Sequence, residues 1–449
     1  MPGSSRDVKS RQPWWILTIL TLIYSFSWLD RQIIVMLVDP IRQELGLSDV
    51  AMSIILGPAF GLCYVAFGIP LGWAADRFDG RVVIVLGLLL WSAATSLTAL
   101  ASSFAMLFAM RLLVAVGEAA LTPAAHAMLT GAFPRRQLGT VMAVYSASPK
   151  IGTSAAYALG GLLIAAFMSQ GAEAVGPFGT LSPWRHVYLF VGLPGFLLAA
   201  LLFTFRAPDR AERVAQPGSA GIRTFLWQER RLFLPLLAGF CAVSIPSIAL
   251  QSWVPTYMGR HFGWSPGHYG PIIGLITGVS AFAVVAKGGI MDWLYRRGVT
   301  DAPLRFYTWL LAIFTPLAVA AFFLRDPVQF LILYGLVQIV AVPYGLYMAT
   351  SVQMVTPPHL RAQVSAVALL AGNLLSMMFG PTLAAVLTNL LFGDPASLGW
   401  SLAIISGCGM GASWLLLRMA LRPFRAMLDA QAEAPAREQA HGWQERSAT

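Results

Sequence analysis

The sequence predicts an all-α membrane protein whose twelve transmembrane helices form two pseudo-symmetric six-helix halves. Composition is the first indication, because 57% of the 449 residues are hydrophobic and 11% are charged, whereas soluble domains have about 25% charged residues. Segment length is the second, because apolar stretches of about 20 residues or more, enough to cross a bilayer as helices, recur along the chain. The third is a long polar interval between the sixth and seventh stretches.

The individual spans follow from these apolar stretches in order. They are predicted at residues 14–38, 50–71, 82–101, 104–130, 138–167, 184–205, 232–258, 267–291, 303–324, 327–355, 362–391 and 397–421. They do not alternate in polarity, so helices are favoured over the strands of a membrane β-barrel. The first follows a basic segment that resembles the start of a signal peptide. Because it is too long and lacks a small-residue cleavage site, we expect it to stay attached.

Basic residues predict the orientation of the spans. With the N-terminus inside, most arginines fall on one side of the membrane, and the other side receives Arg42, Arg185, Arg260 and Arg325. Positively charged loops stay in the cytoplasm, so both termini and the central linker are predicted to be cytoplasmic in a multi-pass protein of the bacterial plasma (inner) membrane. The asymmetry accounts for the net charge of +10, and no nucleic acid partner is predicted.

The long polar interval sets the predicted domain organisation. The predicted order is a cytoplasmic N-terminus (1–13), an N-terminal six-helix bundle (14–206), a cytoplasmic linker (207–231), a C-terminal six-helix bundle (232–421) and a cytoplasmic tail (422–449). The three cysteines lie in three different spans. We therefore predict no disulfide framework, no metal site and no cofactor.

The loops after the second and eighth spans repeat one pattern of glycine, aspartate and arginine. The pattern comprises Gly72, Asp76, Arg77 and Arg81 in "GWAADRFDGR", and Gly288, Asp292 and Arg296 in "GGIMDWLYRR". Repeated halves are typical of secondary transporters, whose substrate site lies near the membrane midplane between the halves.

The first of these loops resembles the signature Gly-x-x-x-Asp-Arg-x-Gly-Arg-Arg/Lys of the major facilitator superfamily, from which Asp79 and Gly80 depart. The resemblance implies the major facilitator fold. A carboxylate at a helix end can accept charge-assisted hydrogen bonds from arginine in only one state of a transporter. We therefore expect a conformational latch formed by Gly72, Asp76, Arg77, Arg81, Asp292 and Arg296.

Three further segments resemble the spinster-like branch of that superfamily. They are "WLDR" in the first span, "RLLVAVGEA" in the fourth and "YSASPKIGTSAAYALGG" in the fifth. The second half is similar only through "QSWVPTYM" and the repeated loop, and Lys150 departs from the branch. The resemblance implies a monomer in membrane lipid that works by alternating access. It also implies coupling to protons and a lysophospholipid, sphingoid or other amphipathic substrate.

Charged residues inside the predicted spans supply the candidate site. Asp30, Arg31, Arg111, Glu118 and Lys150 all belong to the first half. Each costs about 2.5–3.5 kcal/mol at a helix centre, so we expect them to face each other or water. A buried carboxylate changes its protonation state when a neighbouring arginine moves. We therefore predict that Asp30 and Glu118 carry protons, while Arg31 and Arg111 set their charge state and bind an anionic headgroup.

Two points about these charges stay open. Arg31 and Arg111 would be purely structural if they only neutralised the two carboxylates in a fixed network, which buried ion pairs permit. Lys150 is either a third anion-binding group or a countercharge for Glu118.

Neutral residues complete the predicted substrate site. They are Tyr24 in the first span and Gln251, Tyr344 and Asn373 in the second half. Lys287, near the predicted cytoplasmic end of the eighth span, is expected to reach the lipid headgroups by snorkelling. The cavity is therefore expected to be ionic on one wall and apolar on the other, which suits an amphipathic ligand.

Two other functions stay open. The cations Arg31, Arg111 and Lys150 would also serve proton symport of a small organic anion, such as an aromatic or sugar acid. The second is a receptor or scaffold that kept the fold and lost transport, although the linker and tail are short and show no recognisable domain. An enzyme is disfavoured, because no nucleophile and base pair or metal cluster is visible within the spans.

Overall fold

The computed structural model describes residues 4–169, 175–176, 179–206 and 221–447, with side chains from residue 12 to 431 apart from 76, 135 and 175–180. Within these residues twelve helices are long and apolar enough to cross a membrane, which confirms the predicted fold class. They are α1 (Gln12–Met36), α2 (Asp49–Ala75), α3 (Gly80–Thr98), α4 (Phe104–Ala132), α5 (Leu138–Ser169), α6 (Pro183–Thr204), α7 (Arg230–Phe262), α8 (Pro266–Arg296), α9 (Ala302–Ala321), α10 (Pro327–Val355), α11 (Arg361–Phe392) and α12 (Pro395–Gln431).

Several of these spans are not continuous α-helices. Interruptions divide α2 into Asp49–Leu56 and Pro58–Arg77, α4 into Phe104–Ala119 and Leu121–Ala132, and α10 into Pro327–Val340 and Gly345–Val355. The last turn of α11 is the π-helical Leu387–Phe392. The prediction ended the twelfth span at residue 421, whereas its helix runs on as Leu398–Ser447.

Several shorter elements were not predicted. Between the spans lie the helices Val38–Leu45 and Ile222–Gln228, the 3-10 turn Arg135–Gln137, and a hairpin of Val175–Gly176 with Gly179–Thr180. The 3-10 turn Leu202–Thr204 ends α6, and the 3-10 turn Pro395–Ser397 begins α12. The helix Ile222–Gln228 falls in the predicted linker, of which residues 207–220 lie outside the described residues.

Successive spans cross in opposite directions, so the bundle has two ends. The end that carries the linker between α6 and α7 is called the linker face, and it is the end predicted to be cytoplasmic. The end that carries the connections from α1 to α2 and from α7 to α8 is called the far face.

Buried apolar side chains join the two halves at the far face. One cluster combines Ile33 and Val38 of the first half with Trp253 and Phe330 of the second. The buried members of the two other described clusters each come from a single half. The halves therefore share one core at the far face and have separate cores towards the linker face.

Close contact between α5 and α8 closes the far face further. A Cβ atom on Gly161 would overlap the carbonyl oxygen of Pro266, and a Cβ atom on Gly270 would lie 2.5 Å from the carbonyl oxygen of Tyr157. Larger residues would therefore push the two helices apart. Small residues at such crossings let membrane helices approach closely.

Three charged residues, here called the far-face clamp, also cross this interface. They are Arg260 of the second half and Asp39 and Asp49 of the first. Arg260 Nη2 donates to Asp39 Oδ1 at 2.6 Å and to Asp49 Oδ1 at 2.7 Å. Arg42, which belongs to the first half, lies 3.6 Å from Asp39 and 3.4 Å from Asp49. The interface is thus held by one arginine between two carboxylates.

The helix Val38–Leu45 is anchored at the far face through Glu44. This carboxylate accepts hydrogen bonds from Trp184 Nε1 at 2.5 Å and from Arg185 Nε at 2.9 Å. Partial burial raises the pKa of Glu44, but the nearby Ser182 hydroxyl and the hydrogen bonds from Trp184 and Arg185 outweigh it and lower that pKa below its ordinary value. Glu44 therefore stays ionised at neutral pH and ties this helix to the start of α6.

Candidate functional site

A polar chamber of about 220 Å³ lies between the two halves, near the middle of the bundle. Most of its lining residues carry a hydroxyl, amide or amino group, and they come from four helices. These lining residues are Lys150, Thr153 and Tyr157 of α5, Ser247, Ile248 and Gln251 of α7, Thr277 and Ser280 of α8, and Gln338, Val342, Pro343, Tyr344 and Gly345 of α10. The chamber therefore draws its walls from both halves, as an alternating-access site requires.

Lys150 brings a positive charge to this chamber. Among the described side chains it forms no ion pair, whereas Glu118 pairs with Arg31 at 2.5 Å. The structure therefore does not make Lys150 the countercharge of Glu118. An unpaired charge inside a membrane bundle is costly, so the position of Lys150 needs an explanation other than an ion pair within the described side chains.

The break in α10 forms one wall of the chamber and explains the position of Lys287. The carbonyl of Ile339 would normally accept from the N–H of residue 343, but Pro343 has no N–H. Lys287 Nζ donates to that carbonyl instead, at 2.6 Å, and Lys287 is 5% exposed. The expectation that Lys287 snorkels to the headgroups is wrong, because the broken helix offers it a buried acceptor.

The other four charged residues, here called the charge cluster, lie inside the first half. Glu118 Oε2 accepts from Arg31 Nη2 at 2.5 Å and from Ser27 Oγ at 2.7 Å. Asp30 Oδ2 accepts from Thr95 Oγ1 at 2.6 Å. The fourth member, Arg111, donates through Nη2 to the carbonyl oxygen of Arg31 at 3.1 Å. Asp30 and Glu118 are 2% and 1% exposed, so both carboxylates point into the bundle and away from lipid.

Residues 30–32 of α1 connect the charge cluster to the chamber. Successive helical residues point about 100° apart, so Asp30 reaches α3, Arg31 reaches α4, and Gln32 reaches α5 and α7. Gln32 Nε2 donates to the Tyr157 hydroxyl at 2.8 Å, and that hydroxyl donates to the carbonyl oxygen of Gln251 at 2.8 Å. A shift of α1 would therefore change the hydrogen bonds of the carboxylates and also those of the chamber wall.

Only part of the predicted substrate site lines the chamber. Lys150, Gln251 and Tyr344 do, whereas Arg31, Arg111, Tyr24 and Asn373 are not among its lining residues. Tyr24 is half-buried and stacks on Tyr145 with a centroid distance of 4.8 Å. Asn373 is exposed on α11. Arg31 and Arg111 serve the charge cluster instead.

The expected contrast between an ionic and an apolar wall is met only in part. Lys150, the charged residue of the described lining, comes from the first half, whereas the second half supplies both apolar and neutral polar side chains. The second half contributes polar side chains, among them Ser247 and Gln251 on α7 and Thr277 and Ser280 on α8. Their spacing of three or four residues places each pair on one helix face. That spacing, with Thr153 three residues after Lys150, is a sequence signal for a shared polar face, but it does not by itself identify the chamber.

The predicted latch residues lie at the linker face. Arg81 Nη1 donates to the carbonyl oxygen of Phe205 at 2.9 Å, within the first half. The guanidinium of Arg77 stacks 4.1 Å from the ring centroid of Trp73. Of the other latch residues, Gly72 is half-buried, Asp292 and Arg296 are exposed, and the side chain of Asp76 lies outside the described ones. The latch role of all six stays a prediction.

Twelve membrane-crossing helices in two halves, with a polar chamber between them, define a membrane transporter. The family model of the Major Facilitator Superfamily matches residues 20–381. The chain belongs to this family, whose members are transporters, and the predicted family is confirmed.

Individual relatives and solved structures agree with this assignment. An MFS-type efflux pump of Mycolicibacterium smegmatis is 27% identical over 393 residues, which cover 86% of each chain. A probable galactarate/D-glucarate transporter of Bacillus subtilis is 27% identical over 65% of this chain and 67% of its own. The structure of a bacterial homologue of the human lysosomal transporter Spinster, inward-facing and unoccupied, matches with a TM-score of 0.73 at 23% identity, covering 95% of this chain and 98% of that one. At this identity the likeness concerns the fold.

Proposed function

We propose that this protein is a proton-coupled secondary transporter that moves a small organic anion by alternating access. The observation that carries the proposal is Lys150, a cation without an ion-pair partner among the described side chains, on the wall of the polar chamber. In this proposal Lys150 binds the negative group of the substrate. The linker face is cytoplasmic in this proposal, as the positive-inside rule predicts.

The size and chemistry of the chamber favour a small hydroxylated anion. Its volume of about 220 Å³ is below the range of about 300–1,000 Å³ that is usual for drug-sized ligands. Thr153, Ser247, Gln251 and Gln338 surround Lys150 with groups that can bond several hydroxyls. Relatives include a probable galactarate/D-glucarate transporter, a hexuronate transporter and a probable sulfoacetate transporter, and the substrates in these names are organic anions.

The charge cluster supports proton coupling. Glu118 Oε1 is buried and has no hydrogen-bond partner among the described groups, while Oε2 holds both Arg31 and Ser27. A proton can therefore reside on Oε1 without displacing either partner. Asp30, bonded to Thr95, is the second candidate carrier, and α1 links both carboxylates to the chamber.

A second candidate substrate is an amphipathic, lipid-like molecule such as a lysophospholipid or a sphingoid. Aromatic rings around Arg31 favour it, with ring centroids at 4.1 Å for Phe60, 4.5 Å for Trp28 and 5.2 Å for Tyr64. Apolar rings beside a cation suit a molecule with a charged head and an apolar body. The chamber is too small for a long acyl chain, so the chain would have to lie along these rings.

Binding to the purified full chain separates the two candidates. We expect D-glucarate or D-glucuronate to bind, and lysophosphatidylglycerol to compete poorly. Lys150→Gln should weaken anion binding by about 2 kcal/mol or more, roughly 30-fold, because a buried charge pair loses one partner. Lys150→Arg keeps the charge and is the matched control. Unchanged sugar-acid affinity in Lys150→Gln would reject the anion site, and binding of the lysolipid alone would favour the second candidate.

Transport is tested by proton movement in sealed proteoliposomes. Addition of the anion that binds should change the internal pH of vesicles that contain the protein, and vesicles with Lys150→Gln should respond less. Binding without any solute-dependent flux would instead identify a receptor or scaffold of the same fold.

A further inference from the structure

A groove of about 810 Å³ runs along the second half, away from the chamber. Its walls are the helix Ile222–Gln228, the part of α7 nearest the linker face, and residues Val367 and Leu375 of α11. This helix belongs to the segment that connects the two halves.

The body of the groove is apolar and open. Leu234, Ala238 and Ile245 follow one another along one side of α7 and face Leu375 of α11 across the groove. Leu234 is 72% exposed. Apolar side chains that are this accessible in a membrane helix are normally covered by hydrocarbon.

The end of the groove at the linker face is cationic. Arg223 and Arg230 line it and are exposed. Trp227, between them, is 70% exposed, as is usual for aromatic residues at a membrane interface. Arg230 Nη1 donates to the carbonyl oxygen of Trp227 at 3.0 Å. Phe225 packs edge-on against Phe233 with a centroid distance of 5.2 Å, so the short helix is held in place.

We propose that this groove binds one anionic phospholipid of the surrounding bilayer. The phosphate lies between Arg223 and Arg230, and the acyl chains lie along Leu234, Ala238 and Ile245. Two cations at one end of a long apolar groove match the shape and charge of such a lipid. A free phosphate would leave the apolar length uncovered. Each arginine near the membrane surface should favour an anionic lipid roughly fivefold, so the pair should favour it about 25-fold over a zwitterionic lipid.

Lipid titration of the full chain followed by native mass spectrometry tests the headgroup. The two lipids are phosphatidylglycerol and phosphatidylcholine with identical chains. Wild type should retain one phosphatidylglycerol at least about tenfold more tightly, and Arg223→Gln/Arg230→Gln should lose that preference. Arg231→Gln, an exposed neighbour that does not line the groove, is the matched control. Equal retention of both lipids by wild type, or an equal loss in the control, would overturn the proposal.

Cys241, which lines the groove and is half-buried, provides a second test of the apolar part. With Cys63→Ser and Cys408→Ser, the only thiol left is Cys241, and its rate of maleimide modification reports occupancy. Phosphatidylglycerol should slow modification, and Arg223→Gln/Arg230→Gln should remove that protection. Glycerol phosphate, which has the headgroup charge without chains, should not protect. If it protected equally, the site would bind phosphate rather than lipid.

Measuring lipid transfer between the two leaflets distinguishes a lipid that stays bound in the groove from a lipid that is transported. Wild-type proteoliposomes should leave fluorescent phosphatidylglycerol in its original leaflet at the rate of empty vesicles. Faster transfer that Arg223→Gln/Arg230→Gln abolishes would make the groove a transport route and overturn the assignment of a resident lipid.

Discussion

Glu118 divides its hydrogen bonds unevenly between its two carboxylate oxygens. Oε2 accepts from Arg31 and Ser27, while buried Oε1 has no partner among the described groups. Asp30 differs, because its Oδ2 accepts from Thr95 and the residue shares a small cavity with Arg111. In the proposed mechanism Glu118 would take up a proton on Oε1 while Arg31 and Ser27 stay bound to Oε2, so Glu118 is the residue to test first for coupling.

Replacing Glu118 by glutamine should uncouple transport from protons. Gln retains a carbonyl acceptor for Arg31 and Ser27 but cannot titrate. In proteoliposomes, Glu118→Gln should lower anion accumulation driven by a pH gradient by about tenfold or more, equivalent to roughly 1.4 kcal/mol of lost driving force, and retain exchange of anion for anion. Ser27→Ala, which removes the other hydrogen bond to the same oxygen, should keep accumulation. Undiminished gradient-driven accumulation in Glu118→Gln would exclude this residue as a proton carrier.

The charge cluster could be predicted from the sequence, and most of the chamber could not. Charges in apolar spans stand out because they are costly. Hydroxyl residues do not, because they can bond to their own helix, as Ser247 does with the Val243 carbonyl and Thr277 with that of Ile273. Their role as chamber wall emerges only when α5, α7, α8 and α10 are brought together.

Among the helices, α10 has a span that its own sequence predicts and a break that its own sequence does not fully explain. Hydropathy predicted its span at 327–355, which the structure gives as Pro327–Val355. The loss of helical structure before Gly345 depends on Pro343 and also on Lys287, which lies on a different helix and supplies the missing donor for Ile339. A tertiary contact of this kind leaves no periodic signal within α10 itself.

Lys287 should therefore act as a positioning residue for the chamber. Lys287→Met leaves the Ile339 carbonyl buried and unpaired, which costs about 1–3 kcal/mol, so the melting temperature should fall. Because the displaced segment lines the chamber, anion affinity should also fall several-fold. Lys287→Arg keeps donors and a positive charge at this position and should rescue both properties. A loss of stability with unchanged affinity in Lys287→Met would show that the contact only supports the fold.

The helix Val38–Leu45 should respond to acid through Glu44. A carboxylate whose pKa is lowered by folding stabilises the folded state above its unfolded pKa of about 4.3 and loses that contribution as the pH falls through the folded pKa. Wild type should therefore melt at a higher temperature than Glu44→Gln at pH 7, and the difference should shrink as the pH falls below about 4.3 and through the folded pKa. Asp429→Asn, which changes an exposed carboxylate on α12, should show no such difference. A gap between wild type and Glu44→Gln that was as large at pH 3 as at pH 7 would contradict this.

Taken together, the two halves are held in one state by contacts at the far face. The shared apolar cluster, the approach of Gly161 to Gly270 and the far-face clamp all lie there. The proposed mechanism of alternating access requires this end to open, so under that proposal these contacts must be weak enough to separate when substrate and proton are bound. The packing between glycines contains no charged group that could change its interactions. The far-face clamp does contain such groups, since a single arginine joins the halves through two carboxylates.

Removing that arginine should open the far face. Arg260→Gln deletes a charge pair across the interface, worth about 2 kcal/mol or more, and so should raise the proportion of molecules open at this end roughly 30-fold. Arg42→Gln is the matched control, because Arg42 contacts the same Asp39 and Asp49 from within the first half. Spin labels at exposed Gln43 and Arg325, one on each half, would measure the separation. We expect a new long-distance population in Arg260→Gln and the wild-type distribution in Arg42→Gln. If both variants opened equally, the loss of any charge near the aspartates would be sufficient, and Arg260 would not be the link between the halves.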